Sequence, residues 1–401
     1  MNRRSRRALT ALVAFGVALA AAEWIAGRWL PMPVRMFELD PALIYRTIPN
    51  VRSTKRITSA GTRRWITTEL NSRGRRGPEL AVPKTAPRIA VFGDSFVLAE
   101  DVTLEDTFVE RLGAELRANG PVEMVNCGVT GYGPDQSCLR FEREAEELAP
   151  DLAIFLLYSS NDFGDLVRNK MLRVHDDGSS SLNAYTISPA LEQEFERKAA
   201  EARGFALVRA IRSELDARAH REELRTRTAP PPYIDWYLKA APDEYTELVV
   251  DGDLAVRQVW QDYYDVDLAI YPNWPSSQYK RKAMRAAVAR IQEQCARRGV
   301  PAFFLVVPSA VDLCPKGEIS VNPKRYPTWD PARLTTVLDE IARELRVAHL
   351  NLYEPFRSAD PESLYFGGEN LHWTEKGQAL AARLVAETLR DRKLWPPTTG
   401  R

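Results

Sequence analysis

Ser95 stands at the end of an apolar run, Ile89-Ala90-Val91-Phe92-Gly93-Asp94-Ser95-Phe96. A serine hydroxyl is a weak nucleophile at neutral pH until a base takes its proton. Of the four histidines, His372 is the one placed to act as that base; His175 and His220 lie in a charged central segment, and His349 lies inside an expected strand. Glu369 precedes His372 by three residues and offers a carboxylate for the other ring nitrogen, where it would fix the tautomer and stabilise the imidazolium. An attacked carbonyl also needs preorganised donors for the negative charge that develops on its oxygen. The backbone N–H of Ser95, the N–H of Gly131 in a glycine-rich turn and the side-chain amide of Asn161 are the candidates for that oxyanion hole. Together these groups suit acyl transfer through a serine.

Such residues, scattered along a chain, need a scaffold that brings loop ends together. Arg88 to Phe92 reads as a short buried strand stopped by Gly93. A helix over 104–118 follows, with Phe108, Leu112 and Leu116 on one face, then a strand over 122–125 and a helix over 135–148. Further strands are expected at 152–157, 302–307 and 348–352, with helices at 277–298, 331–345 and 374–391. Alternating β and α segments with near-continuous apolar strands imply a parallel sheet covered on both faces. The expected fold is therefore α/β, a three-layer α/β/α sandwich of flavodoxin-like type. Its site belongs at the carboxyl edge of the sheet, where Ser95, Gly131 and Asn161 would follow the first three strands.

The regular alternation covers 86–391 and is interrupted at 164–276 by a charged, aromatic stretch, read as an inserted cap that includes an amphipathic helix near 190–223. Residues 31–85 read as a small β-rich extension rich in Pro and Arg, and 392–401 as a tail.

The chemically equipped segments resemble the blocks of the SGNH, or GDSL-like, hydrolases, in an envelope-anchored bacterial form. Gly93-Asp94-Ser95 is similar to the GDS block and Asn126 to Gly131 to the glycine block. Ser160-Asn161-Asp162 is similar to the third block and Glu369 to His372 to the terminal DxxH block. The resemblance implies Ser95 as nucleophile, His372 as base, and Ser95, Gly131 and Asn161 as the oxyanion hole. It departs from the family pattern at Ser160, where a glycine is usual, and at Glu369, where an aspartate is usual. Together with the export segment and the aromatic insertion, it favours an esterase that removes small acyl groups, acetyl above all, from a cell-envelope or extracellular carbohydrate, since nothing in the sequence reads as a long apolar acyl channel. The alternatives are an O-acyltransferase on glycans, a lipid-directed esterase or thioesterase, and an inactive glycan-binding or assembly subunit. No metal or organic cofactor is expected.

Composition narrows the partners. Among 401 residues, 55 basic and 54 acidic side chains nearly cancel, so no global field draws the protein to nucleic acid. A local excess of Arg and Lys over 51–76 reads as a solvated basic face or as a contact for anionic headgroups or an acidic glycan. Arg3, Arg4, Arg6 and Arg7 precede an apolar stretch from Ala8 to Ala22, and apolar residues resume from Trp24 to Leu30. Residues 1–30 thus read as a signal-anchor that spans the inner membrane and leaves the catalytic body in the periplasm. Ala20-Ala21-Ala22 would be the cleavage site in the alternative reading, a cleaved signal. In an exported protein Cys127, Cys138, Cys295 and Cys314 can be disulfides or buried thiols, and their spacing does not suit zinc. Trp236, Trp260 and Trp373 are candidate platforms for a sugar ring, with packing as the competing role.

Overall fold

The computed structural model describes residues 3–29, 34–59, 62–227, 232–259, 263–368 and 370–395. Helix α1 (Arg3–Trp29) is long and apolar enough over Arg3–Gly27 to cross a membrane. Two antiparallel pairs follow: β1 (Phe37–Asp40) with β2 (Ile44–Thr47), and β3 (Arg52–Ser59) with β4 (Thr62–Glu69). The alternating body then begins with β5 (Arg88–Gly93), the short helix α2 (Ser95–Leu98), α3 (Phe108–Arg117), β6 (Glu123–Gly128), α4 (Pro134–Leu148) and β7 (Leu152–Tyr158). Helices α5 (Asp162–Asn169), α6 (Pro189–Glu201), α7 (Ala206–Thr226), α8 (Tyr233–Tyr245) and α9 (Pro275–Arg297) lead to β8 (Ala302–Val307). The chain ends with α10 (Arg333–Glu344), β9 (Ala348–Asn351), the hairpin of β10 (Tyr365–Gly367) and β11 (Asn370–Trp373), and α11 (Glu375–Asp391).

The central sheet has the order β9-β8-β7-β5-β6, and every pairing in it is parallel. The second strand in chain order lies outside the first, and the third to fifth follow on the other side, which is the flavodoxin-like order. The expected α/β sandwich is the observed fold. Alternate residues of each strand point to opposite faces, so two cores form. On one face Phe92, Phe155 and Phe304 stack at 5.1 and 5.8 Å and pack with α4, α9 and α10. On the other, Ile89, Val91, Ile154, Phe303 and Leu305 pack with α3 and α11. The register places Gly93 opposite Gly128 and Val307 opposite Tyr158, so the carboxyl ends are level and their loops meet at one edge.

Between β7 and β8 the structure departs from the sequence reading in detail. The single long helix expected near 190–223 is two helices, α6 and α7, separated at 202–205. Helix α5 leaves β7 almost at once, over residues where the inserted stretch was expected to begin. All four cysteines are buried free thiols.

Candidate active site

The site is assembled by three sheet-edge loops and the β10–β11 hairpin. Asp94 accepts the Phe96 N–H at 2.9 Å and so caps α2, which turns Ser95 out of the sheet. The neighbouring strand end is pressed against this turn: a Cβ on Gly128 would come within 2.4 Å of the Leu98 nitrogen. Asn126 stitches the two loops, donating to the Val97 carbonyl at 2.7 Å while accepting the Gly128 N–H at 2.9 Å. His372 lies on β11, held by the fully buried Trp373 and by Thr374, which caps α11 and donates to the Ser363 carbonyl at 2.7 Å.

Across this arrangement Ser95 Oγ donates to His372 Nε2 at 2.7 Å. The imidazole is therefore the acceptor that can remove the serine proton. At the opposite ring nitrogen, His372 Nδ1 is 3.1 Å from Asp101 Oδ2 and 2.9 Å from Asn370 Oδ1. Asn370 Oδ1 is oriented by the backbone N–H of His372, at 3.0 Å. The carboxylate facing Nδ1 is thus Asp101, a residue the sequence reading did not single out. Glu369 lies outside the described residues.

Asp101 owes its position to a loop that no helical or strand periodicity marks. Ala99 takes a left-handed conformation (φ 54°) at the end of α2 and turns the chain back toward His372. Arg76 then clamps the loop, donating to the carbonyls of Leu98 at 3.0 Å and Val102 at 2.8 Å, and also to that of Ala99. Burial lowers the Arg76 guanidinium to about 10. Arg75, equally buried, pairs with Glu144 at 2.8 Å. These two arginines are structural clamps, which corrects the expectation of a solvated or ligand-facing basic surface at their positions.

A second cation reaches the acid from the β3–β4 hairpin, where Lys55 Nζ is 2.7 Å from Asp101 Oδ1. Burial raises the Asp101 carboxyl, but the hydrogen bond and charge of His372, together with Lys55, outweigh it and hold it far below the usual carboxylate range. For His372, burial disfavours the imidazolium, while the hydrogen bond and charge of Asp101 favour it; the net direction is upward from the ordinary histidine value. Lys55 opposes that rise.

Of the proposed oxyanion donors, Gly131 sits at φ +77°, and a Cβ there would lie 2.8 Å from Tyr45 Oη and 3.2 Å from the Val259 carbonyl, so the turn has room for no side chain. Among the described residues, neither the Ser95 nor the Gly131 N–H is taken by a protein acceptor. Asn161 is buried at the start of α5, beside Asp162, whose carboxylate accepts the Tyr158 N–H at 2.8 Å. Ser160 is buried as well, and its carbonyl accepts the Asp265 N–H at 2.6 Å. The three candidate aromatic platforms fare differently. Trp373 is fully buried, with its ring 4.9 Å from Phe96 and 5.5 Å from Phe356, and has no face for a substrate. Trp236 is exposed on α8 beside Tyr237 and Tyr263. Trp260 lies outside the described residues.

Residues 270–400 match the family model described as the SGNH hydrolase-like domain of the acetyltransferase AlgX. Over those residues the chain is similar to that SGNH hydrolase-like domain. A comparison with curated proteins gives no match. Solved structures similar to the chain include a lipase/acylhydrolase from Enterococcus faecalis, at 11% identity over 77% of this chain and 97% of that one, with a TM-score of 0.37. They also include the esterase EstA from Pseudoalteromonas sp., at 10% identity over 77% and 100% of the two chains, with a TM-score of 0.36. A GDSL-like lipase from Bacteroides thetaiotaomicron gives 12% identity over 76% and 88%, with a TM-score of 0.32.

A cleft of about 690 Å³ borders Lys55, the partner of Asp101, and Glu100, and is lined also by Phe37, Phe195, Lys198 and Arg212, among others. Its wall mixes charged and apolar side chains. No group of acidic, His or Cys side chains suited to a metal ion occurs among the described residues.

Proposed function

We propose that this protein is a serine esterase of the cell envelope that removes small acyl groups, chiefly acetyl, from a carbohydrate. The observation that carries the reading is the 2.7 Å Ser95 Oγ–His372 Nε2 contact with a carboxylate on the far ring nitrogen. Ser95 Oγ attacks the ester carbonyl while His372 Nε2 takes the hydroxyl proton, giving a tetrahedral oxyanion held by the N–H groups of Ser95 and Gly131 and the amide of Asn161. Asp101 stabilises the imidazolium and Asn370 helps to keep Nδ1 protonated. The C–O bond of the ester then breaks, His372 gives its proton to the departing sugar hydroxyl, and an acyl-Ser95 ester remains. Water, deprotonated by His372, attacks this ester and releases the acid and the free serine.

The exposed apolar helix α1 supports anchoring in the inner membrane, with the body outside the cytoplasm. A second reading, O-acyltransferase, is favoured by the acetyltransferase in the matching family model. In that case a sugar hydroxyl replaces water as the acceptor. The test supplies purified full-length protein with 4-nitrophenyl acetate and acetylated oligosaccharides, with and without unacetylated acceptor, and follows both acetate and acetylated product. Acetate release that is lost in Ser95→Ala supports the esterase. Transfer to the acceptor in place of acetate supports the transferase. Absence of both from a well-folded protein rejects the two readings together.

A further inference from the structure

Helix α1 is exposed from Arg3 to Ala21 and meets the body only near its carboxyl end. There Ala26, 1% exposed, packs on Ala206, with Leu207 and Ala210 against the pair. Glu23 makes the junction specific. Its carboxylate accepts the Ala206 N–H and, at 3.1 Å, the Leu207 N–H. These are two of the unpaired donors at the start of α7, and a carboxylate also complements the positive end of that helix. A charge that would be costly in the span is thus satisfied where the apolar sequence ends. The amino end of α7 is fixed at the depth where α1 leaves hydrocarbon.

From that point α7 runs for 21 residues, about 31 Å. Phe205, just before it, and Val208, Ile211 and Leu215 within it are 69, 52, 54 and 57% exposed. Their spacing of three, three and four residues puts them on one face. Ala206 and Ala210 pack on α1, and the side toward the body is marked by Glu214, which pairs with Arg56 at 3.3 Å, and by Arg209 and Ser213, which line a cleft with Phe37 and Lys55. Exposed Arg203, Arg212 and Arg218 flank the apolar row, with Asp216 among them. Four large apolar side chains bordered by arginines, on a helix whose amino end meets α1, fit an interfacial helix whose cations meet lipid phosphates.

We infer that α7 is an interfacial helix that lays Phe205, Val208, Ile211 and Leu215 into the headgroup–acyl boundary of the bilayer crossed by α1. The inference rests on the anchored reading of α1. Through Arg56 and the adjacent Lys55 on β3, the same helix connects the membrane surface to the hairpin that holds Asp101.

Single cysteines at Ala14, Val208, Ile211 and Ser213 of the full-length protein, labelled with an environment-sensitive fluorophore, test this in vesicles containing phosphatidylglycerol. The native cysteines are buried and stay unlabelled under native conditions. Quenching by lipids brominated deep or shallow in the acyl chain is compared with quenching by aqueous iodide. The expected result is deep quenching at position 14, and shallow quenching at 208 and 211 several-fold above that at the body-facing position 213. Deep quenching at 14 with 208 and 211 as open to iodide as an exposed surface site overturns the interfacial helix and leaves the anchor standing. No lipid quenching at any position overturns the anchor and the inference with it.

Discussion

Replacing Asp101 by Asn keeps the size of the side chain and removes its charge. Neutral His372 accepts the serine proton, so the carboxylate matters most once the imidazolium has formed. With charge centres about 4 Å apart and an effective dielectric of about 20, the lost attraction is about 4 kcal/mol, a ceiling of roughly 10³-fold in rate. The ring keeps about a third of its surface exposed (33%), and solvent screening removes part of that. Asn370 Oδ1, 2.9 Å from Nδ1, still accepts the ring N–H, which limits the loss from a wrong tautomer. The expected fall in kcat/KM is therefore about 10²-fold, against about fivefold for Asn370→Ala, which removes one neutral hydrogen bond. Asp101→Asn also removes the influence that raises His372, so the acidic limb of the pH profile moves to lower pH. The assay is 4-nitrophenyl acetate hydrolysis from pH 5 to 9, with folding checked by circular dichroism. Activity of Asp101→Asn within threefold of the parent, together with a collapse in Glu369→Gln, would refute the assignment and give the acid role to Glu369.

Lys55→Met shifts the limb the other way. It removes a charge that opposes protonation of His372, so the neutral base appears only at higher pH; an unchanged profile would leave Lys55 without influence on the ring. Arg76→Met strands the carbonyls of Leu98, Ala99 and Val102 and is expected to cost about 2–4 kcal/mol in urea unfolding, with activity lost before the fold as loop 99–102 loosens. Trp373→Ala opens a cavity under His372, with about 3–5 kcal/mol of lost stability; a loss under 1 kcal/mol would contradict its place in the core.

The sheet was legible because strands buried on both faces must be continuously apolar, and Arg88 to Phe92 and Ala302 to Val307 show this plainly. Ser95 was legible because it follows the end of a buried strand and His372 because it stands just ahead of the last helix; their 2.7 Å contact spans 277 residues. Asp101 was not, since its approach to His372 depends on a left-handed Ala99 and on Arg76, contacts that follow no sequence period. A carboxylate only six residues beyond the serine was the available signal, and local turn chemistry accounts equally well for such spacing. Arg75 and Arg76 looked like part of a basic surface because sequence reports charge and not burial. Trp373 shows the same limit: its neighbour His372 faces the site, while the alternation of a strand turns the indole into the core.

The central claim is that Ser95 is a nucleophile activated by His372. A fluorophosphonate probe incubated with the full-length protein, followed by mass spectrometry of its peptides, tests this without knowledge of the substrate. The account predicts one phosphonyl adduct on Ser95, absent in Ser95→Ala and strongly slowed in His372→Ala. A folded protein left unmodified, or modified equally in His372→Ala, would contradict it.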